Sequence, residues 1–208
     1  MHRSIGKMAL LVGVCMMTAA AVWAQQETTE ERASWKPASI DVAASFSPER
    51  AQQVGSASSF WFMGAGADAV ATYKNGFGLS VALNGEHSSN VSPGVDLNKV
   101  TFLAGPRWTA RSGQIGHGKQ ARPLHIFVEG LLGDAHAFNS LFPSTSGTTS
   151  SADSLAVQAG GGFNLDLTPR YGLRLAQIDY VRTALPNNGS GSQNDLRLAF
   201  GFTLHLGR

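Results

Sequence analysis

From Asp195 to Leu206 hydrophobic residues fall on every second position. Leu196, Leu198, Phe200, Phe202, Leu204 and Leu206 share one register, and Asp195, Arg197, Ala199, Gly201, Thr203 and His205 the other. Successive side chains of a β-strand point to opposite faces, so a period of two predicts a strand with one apolar face. Seven further stretches alternate in the same way, near 38–47, 60–73, 77–86, 97–110, 123–137, 153–168 and 171–183. No long helical period interrupts them.

Each stretch separates into two lists. Ile40, Val42, Ala44 and Phe46 oppose Asp41, Ala43 and Ser45, while Trp61, Met63 and Ala65 to Tyr73 oppose Gly64, Gly66, Asp68 and Thr72. Phe77, Leu79, Val81 and Leu83 oppose Gly78, Ser80, Ala82, Asn84 and Glu86. Val100, Phe102, Ala104 and Trp108 oppose Lys99, Thr101, Gly105 and Arg107, and Leu124, Ile126, Val128 and Leu132 oppose His125, Phe127 and Glu129. In the sixth stretch Leu155, Val157, Ala159, Phe163, Leu165 and Leu167 oppose Gln158, Gly160, Gly162, Asn164 and Asp166. The seventh starts with Tyr171, Leu173 and Leu175 against Arg174, but Ile178 and Tyr180 then fall on the Arg174 register, a slip that a β-bulge would produce.

Asn75-Gly76 and the "TPRYG" segment predict tight turns, because Asn and Gly accept the positive φ that such turns demand. The other connections are longer and rich in Ser, Gly and Asn, such as "SLFPSTSGTTSS". Long and tight connections alternate, which predicts an up-and-down meander with two unlike ends. The segment 111–122, "RSGQIGHGKQAR", stands out as long for the tight-turn end. Its positive charge could touch headgroups, but a solvated turn accounts for it more simply.

Targeting and charge narrow the class. Residues 1–24 carry Arg3 and Lys7, an apolar run from Met8 to Met17 and a Val22-Trp23-Ala24 cleavage site, the pattern of a secretory signal peptide. Residues 25–36 read as a polar tail, leaving 37–208 for the fold. The chain has 16 Lys and Arg and 14 Asp and Glu; without Arg3 and Lys7 the remainder is formally neutral, which gives no support for a nucleic-acid partner. The single cysteine, Cys15, lies in the signal segment, so no disulfide framework is expected.

Two closed barrels suit such a meander, one water-soluble with its apolar face inward and one in a membrane with that face outward. The polar face decides between them. It holds mostly small residues with scattered charges of both signs, whereas a soluble barrel coats itself with long charged side chains. Trp61, Tyr73, Phe77, Trp108 and Tyr171 lie toward strand ends on the apolar face, where an interfacial girdle belongs. The expected fold is all-β: an eight-stranded antiparallel up-and-down transmembrane β-barrel, with strands of about 10–13 residues. Eight strands leave room only for side chains inside. Asp68, Lys99, Arg107, Glu129, Asp166, Arg174 and Arg197 are therefore expected to form an interior polar network that packs the lumen rather than lining an open pore.

The last two hairpins, "GGGFNLDLTPRYGLRLAQIDYVRT" and "NDLRLAFGFTLHLGR", resemble the eight-stranded outer-membrane barrels of OmpA/OmpX type and the small "porin-family" barrels. The likeness covers roughly residues 37–206 and implies a non-enzymatic protein of the Gram-negative outer membrane. Structural or surface-interaction roles, or a minor passive pore, would follow. Expected partners are outer-membrane lipids and lipopolysaccharide, the barrel-assembly machinery and periplasmic chaperones. The larger relatives' peptidoglycan-binding domain is not expected. Such barrels often end on an aromatic residue that the assembly machinery reads. Here Leu206 takes that place, so the resemblance lays the assembly signal on Phe202, Leu204 and Leu206.

Other chemistry is sparse. The histidines are dispersed without metal-ligand spacing, and neither a catalytic site, a metal nor a cofactor is expected. A periplasmic lipocalin-like binder, with Phe200 and Phe202 lining a cavity, is the alternative. The least favoured reading is a lipid A-modifying hydrolase. His87 and Ser89 of "GEHSSN" share a face, as in the lipid A deacylases, but no HxSNA-like segment stands here, Glu86 points the opposite way and the position lies at a Ser-rich loop edge, so a solvated loop is the stronger reading.

Overall fold

The computed structural model describes residues 36–52, 59–92, 95–144, 147–186 and 191–206. The signal segment and nearly all of the predicted tail lie outside the described residues. The strand segments, in chain order, are β1 (Ser39–Phe46), β2 (Glu49–Gln52), β3 (Ser59–Thr72), β4 (Phe77–Ser92), β5 (Val95–Ile115), β6 (Arg122–Ser144), β7 (Gly147–Asp166), β8 (Tyr171–Thr183) and β9 (Gln193–Leu206).

β1 and β2 are two halves of one barrel strand. Both pair with β3 on one side and β9 on the other in unbroken register: Ala44 faces Ala67 and Phe202, and Glu49 faces Phe62 and Arg197. The interruption falls at Pro48, which has no N–H to give the ladder. Its carbonyl still accepts from the Leu198 N–H at 2.9 Å, so the chain does not leave the wall. From β3 onward each strand pairs antiparallel with the next, and β9 returns to β1 and β2. Eight strand positions close into a ring. Closure removes the sheet edges, whose unpaired backbone groups lipid could not satisfy.

The alternation is inside-out relative to a soluble protein. Leu79, Leu83, Phe102, Leu132, Leu155, Ile178 and Phe202 are 52% to 72% exposed on the outer wall. Glu49, Lys99, Asp179, Asp195 and Arg197 are 2% exposed or less, inside. Phe200 and Phe202 thus point away from the axis, which overturns the lipocalin-like arrangement that needs them inward. The parity slip in β8 is a bulge. Leu175 and Ala176 both face outward, and the pairing with β9 jumps from Arg174–Gly201 to Gln177–Ala199. Beyond it Gln177, Asp179, Val181 and Thr183 face the lumen.

Three connections correct the expected loops. β4 and β5 continue to Ser92 and from Val95, β6 and β7 to Ser144 and from Gly147, and β5 and β6 to Ile115 and from Arg122. The segment 111–122 is therefore chiefly ladder, with Gln114 facing Pro123, and only residues 116–121 turn, through a 3-10 turn at Gly118–Gln120. From β3 to β9 the strands run 13 to 23 residues, longer than a membrane needs. Strict alternation is required only where one face meets an apolar medium. Above that level backbone hydrogen bonds extend an existing ladder through Ser, Thr and Gly without any apolar signal.

The lumen also holds apolar side chains. Phe62, Leu97, Phe142 and Leu185 pack with Ala51 and Ala137 toward the end of the long hairpins. Leu103 and Leu131 pack with Ala82, Ala135 and Ala156 in a second cluster.

Candidate functional site

The ring brings charges far apart in the chain into buried clusters. In the first, Lys99 faces three carboxylates: Glu49, its nearest partner, Asp195 at 3.2 Å and Glu86 at 3.3 Å. Arg197 reaches Glu49 at 2.9 Å and Glu86 at 2.5 Å, and its Nη1 donates to Gln158 Oε1 at 3.0 Å. Two of these five ion pairs are neighbours in the wall, since Glu86 lies opposite Lys99 and Glu49 opposite Arg197. The others cross the lumen, from Lys99 on β5 to β2 and β9 and from Arg197 on β9 to β4.

The second cluster centres on Asp68. Arg174 grips it with both terminal nitrogens, the longer bond being 3.1 Å, and Arg107 Nη1 donates to it at 3.2 Å. Arg107 also holds its wall neighbour Glu129 through Nε at 2.8 Å and Nη2 at 2.6 Å. The buried ring of Phe127 lies 4.4 Å from the Arg107 guanidinium and 5.2 Å from that of Arg174, an added cation–π attraction. Amides join the clusters: Gln158 donates to Glu129 at 3.1 Å, and Gln177 to Glu129 at 3.0 Å and to Asp179 at 2.8 Å.

Toward the tight turns the interior opens into a cavity of about 360 Å³. Here His205 Nδ1 meets Asp41 at 2.5 Å, while Asp166 lies 3.3 Å from both His205 Nε2 and His125 Nε2. Of the residues assigned to one network, Asp68, Arg107, Glu129 and Arg174 meet, Lys99 and Arg197 form a separate cluster tied to it through Gln158, and Asp166 sits with the histidines.

Glu49, Glu86, Gln158, Gln177, Asp179 and Asp195 lie outside the expected network, although Glu86 and Asp195 have the inward parity. Glu49 was legible. Asp41, Ala43, Ser45, Ser47, Glu49 and Ala51 keep one parity straight through Pro48, and all face inward. Asp179 and Gln177 needed the exact position of the bulge. Phe202, Leu204 and Leu206 all point outward on β9, at 72%, 36% and 45% exposure.

The outer wall carries hydrogen-bonded side chains too, among them a group of three around His87. His87 on β4 lies directly opposite Asn98 on β5, with Nδ1 2.8 Å from Asn98 Oδ1, and its Nε2 is 3.1 Å from Ser89 Oγ. Glu86 faces the lumen, as the parity requires. Asn98 was not among the expected partners.

The chain matches no family model and no curated protein at significance. Its fold does match solved structures. Neisserial surface protein A aligns with a TM-score of 0.55 and 13% identity, over 79% of this chain and 96% of that one. The attachment invasion locus protein Ail of Yersinia pestis aligns at 0.49 with 16% identity, over 81% and 97%. The N-terminal barrel of Pseudomonas aeruginosa OprF aligns at 0.47 with 12% identity, over 82% and 98%. The likeness is one of fold: the chain has the architecture of the small eight-stranded outer-membrane β-barrels.

Proposed function

We propose that the protein is a sealed barrel of the Gram-negative outer membrane, a structural element that presents long hairpins at the cell surface. A single observation carries this reading: hydrophobic side chains cover the outside while lysine, arginine and carboxylates are buried within. Water would favour the reverse, and only an apolar surrounding stabilises this one. The long hairpins on one end and tight turns on the other match the extracellular and periplasmic sides of such barrels. Lipopolysaccharide and outer-leaflet lipid would meet the wall, and periplasmic chaperones and the assembly machinery would deliver the chain, with Phe202, Leu204 and Leu206 as the segment they read.

The interior favours a plug over a pore. The two ion clusters and their bridging amides fill the lumen below the Phe62 cluster, so an ion would have to displace paired side chains to pass. Nothing in this role calls for catalysis. Protein extracted from membranes should partition with detergent and migrate differently on a gel before and after boiling. In a planar bilayer it should show no steady conductance. Recovery in the aqueous phase as a detergent-free monomer would sink the proposal.

A further inference from the structure

The group around His87 on the outer wall has no part in that role. We infer that Ser89, His87 and Asn98 form a serine acyl-hydrolase site that cleaves ester-linked fatty acyl chains of membrane lipids. The inference rests on the outer face meeting lipid and goes beyond it by adding an activity.

With the imidazole neutral, as a general base must be, the hydrogen-bond directions follow from its partners. Asn98 Oδ1 can only accept, so the proton of the neutral imidazole sits on Nδ1. Nε2 is then the acceptor, and Ser89 Oγ–H donates to it. That is the nucleophile–base–orienter order of a catalytic triad, with an amide as the third member. A cross-strand pair alone would account for His87 and Asn98. It does not account for a hydroxyl on the remaining ring nitrogen, two residues along the same face.

The backbone around Ser89 is irregular. Pairing between β4 and β5 runs regularly to Ser88–Leu97 and resumes at Ser92–Val95, so residues 89–91 stand against Asp96 alone. Such a bulge turns the strand away from its ladder and re-aims side chains, as is common beside active sites.

The height of the site on the wall points to the substrate. On the outer face Leu83, Phe102, Leu132, Leu155 and Leu196 give way toward the long hairpins to Arg50, His87, His136, Asp153, Arg182 and Asn194. His87 stands at this border beside Met63, which is 54% exposed. Ten residue steps separate it from Phe77 at the opposite rim. At about 3.3 Å a step and a tilt of about 40° this is ~25 Å, the height of an outer-membrane apolar band. Ester carbonyls of lipids lie at that border, with the acyl chain on the Leu83 side and the headgroup on the other. A hydrolase for a water-soluble ester would have no use for this position.

The reaction balances with water as the only co-substrate. Ser89 Oγ attacks the ester carbonyl while His87 Nε2 takes its proton. The tetrahedral adduct collapses, the C–O bond to the lipid alcohol breaks, and His87 returns the proton to that oxygen. Water, deprotonated by His87, then attacks the acyl-serine, the bond from the acyl carbon to Ser89 Oγ breaks, and His87 gives the proton to Ser89 Oγ, releasing a fatty acid and restoring the free hydroxyl. Asn98 is a positioning residue that holds the imidazole in the required tautomer.

The test uses the full chain, extracted and reconstituted, with lipopolysaccharide in one arm and phosphatidylethanolamine vesicles in the other. Released fatty acid is measured by mass spectrometry, and a fluorophosphonate probe reports the nucleophile by peptide mapping. We expect fatty acid release in at least one arm, which identifies the lipid, and probe attachment at Ser89. Ser89→Ala should lower release about a thousandfold or more, whereas Ser88→Ala, on the inner face, should leave it unchanged. Asn98→Ala should reduce release, and Asn98→Asp should restore it, which a merely structural Asn98 would not predict. A barrel that shifts on boiling yet releases nothing in either arm overturns the site and leaves the barrel standing. Release that survives Ser89→Ala overturns it as well.

Discussion

Lys99 shows how much depends on one side chain inside a barrel. It is 1% exposed, with Glu49, Glu86 and Asp195 around it. Lys99→Met would leave Glu49 and Glu86 to Arg197 and take from Asp195 the cation it pairs with, and breaking a buried ion cluster from one side costs about 3–5 kcal/mol. Urea unfolding in lipid vesicles should show a loss of that size, and Lys99→Met combined with Glu49→Gln should recover part of it. Glycine acts at the same scale. A Cβ on Gly201 would run into the carbonyl oxygen of Ala44 on β1. Gly201→Val should therefore weaken the β9–β1 seam that closes the ring, seen as a lower temperature for the gel-mobility shift. Individual charges were readable from parity, but their partners were not: the Asp68–Arg174 contact joins residues 106 apart in the chain.

At the scale of the strand, parity is the quantity that matters. The bulge at Leu175 and Ala176 lets one strand present Arg174 and then Gln177, Asp179 and Thr183 to the lumen. Deleting Ala176 would remove the extra residue and leave strict alternation, with Gln177, Asp179 and Thr183 still inward and Ile178 and Tyr180 still outward. The expected outcome is a chain that, like Ala176→Gly, still gives a heat-modifiable band after refolding, whereas loss of the band would show that the barrel needs the bulge itself. The alternation of apolar residues predicted the strands wherever the wall is apolar. It ended too early on β4, β5 and β6, because their outer parts are held by ladder bonds between polar residues. Asn98 was overlooked for a related reason. It meets His87 only through the β4–β5 register, and an amide carries no signal as an orienting group until that register is known.

For the whole molecule the decisive fact is the inversion of inside and outside. Val81 sits about midway up the outer face of β4, between Phe77 and His87. Val81→Arg should cost about 2–4 kcal/mol in vesicles, the amount for an arginine at the bilayer midplane. A soluble barrel would tolerate arginine on its surface with little change, so the same measurement checks the direction of the whole wall. The ring also explains how a chain this rich in buried charge can be stable. Its charges lie in a closed lumen where four cations and more carboxylates are paired across short spans, so lipid need never solvate them.

By itself the sequence determined the strands that cross the apolar layer, the face each turns to lipid and the residues that face inward, because a period of two is a local property of the chain. Tertiary structure alone decided which charges pair, how far the hairpins extend and which groups gather on the outer rim. Those depend on register and closure, and the free energy that selects them comes from contacts between residues that the chain keeps far apart.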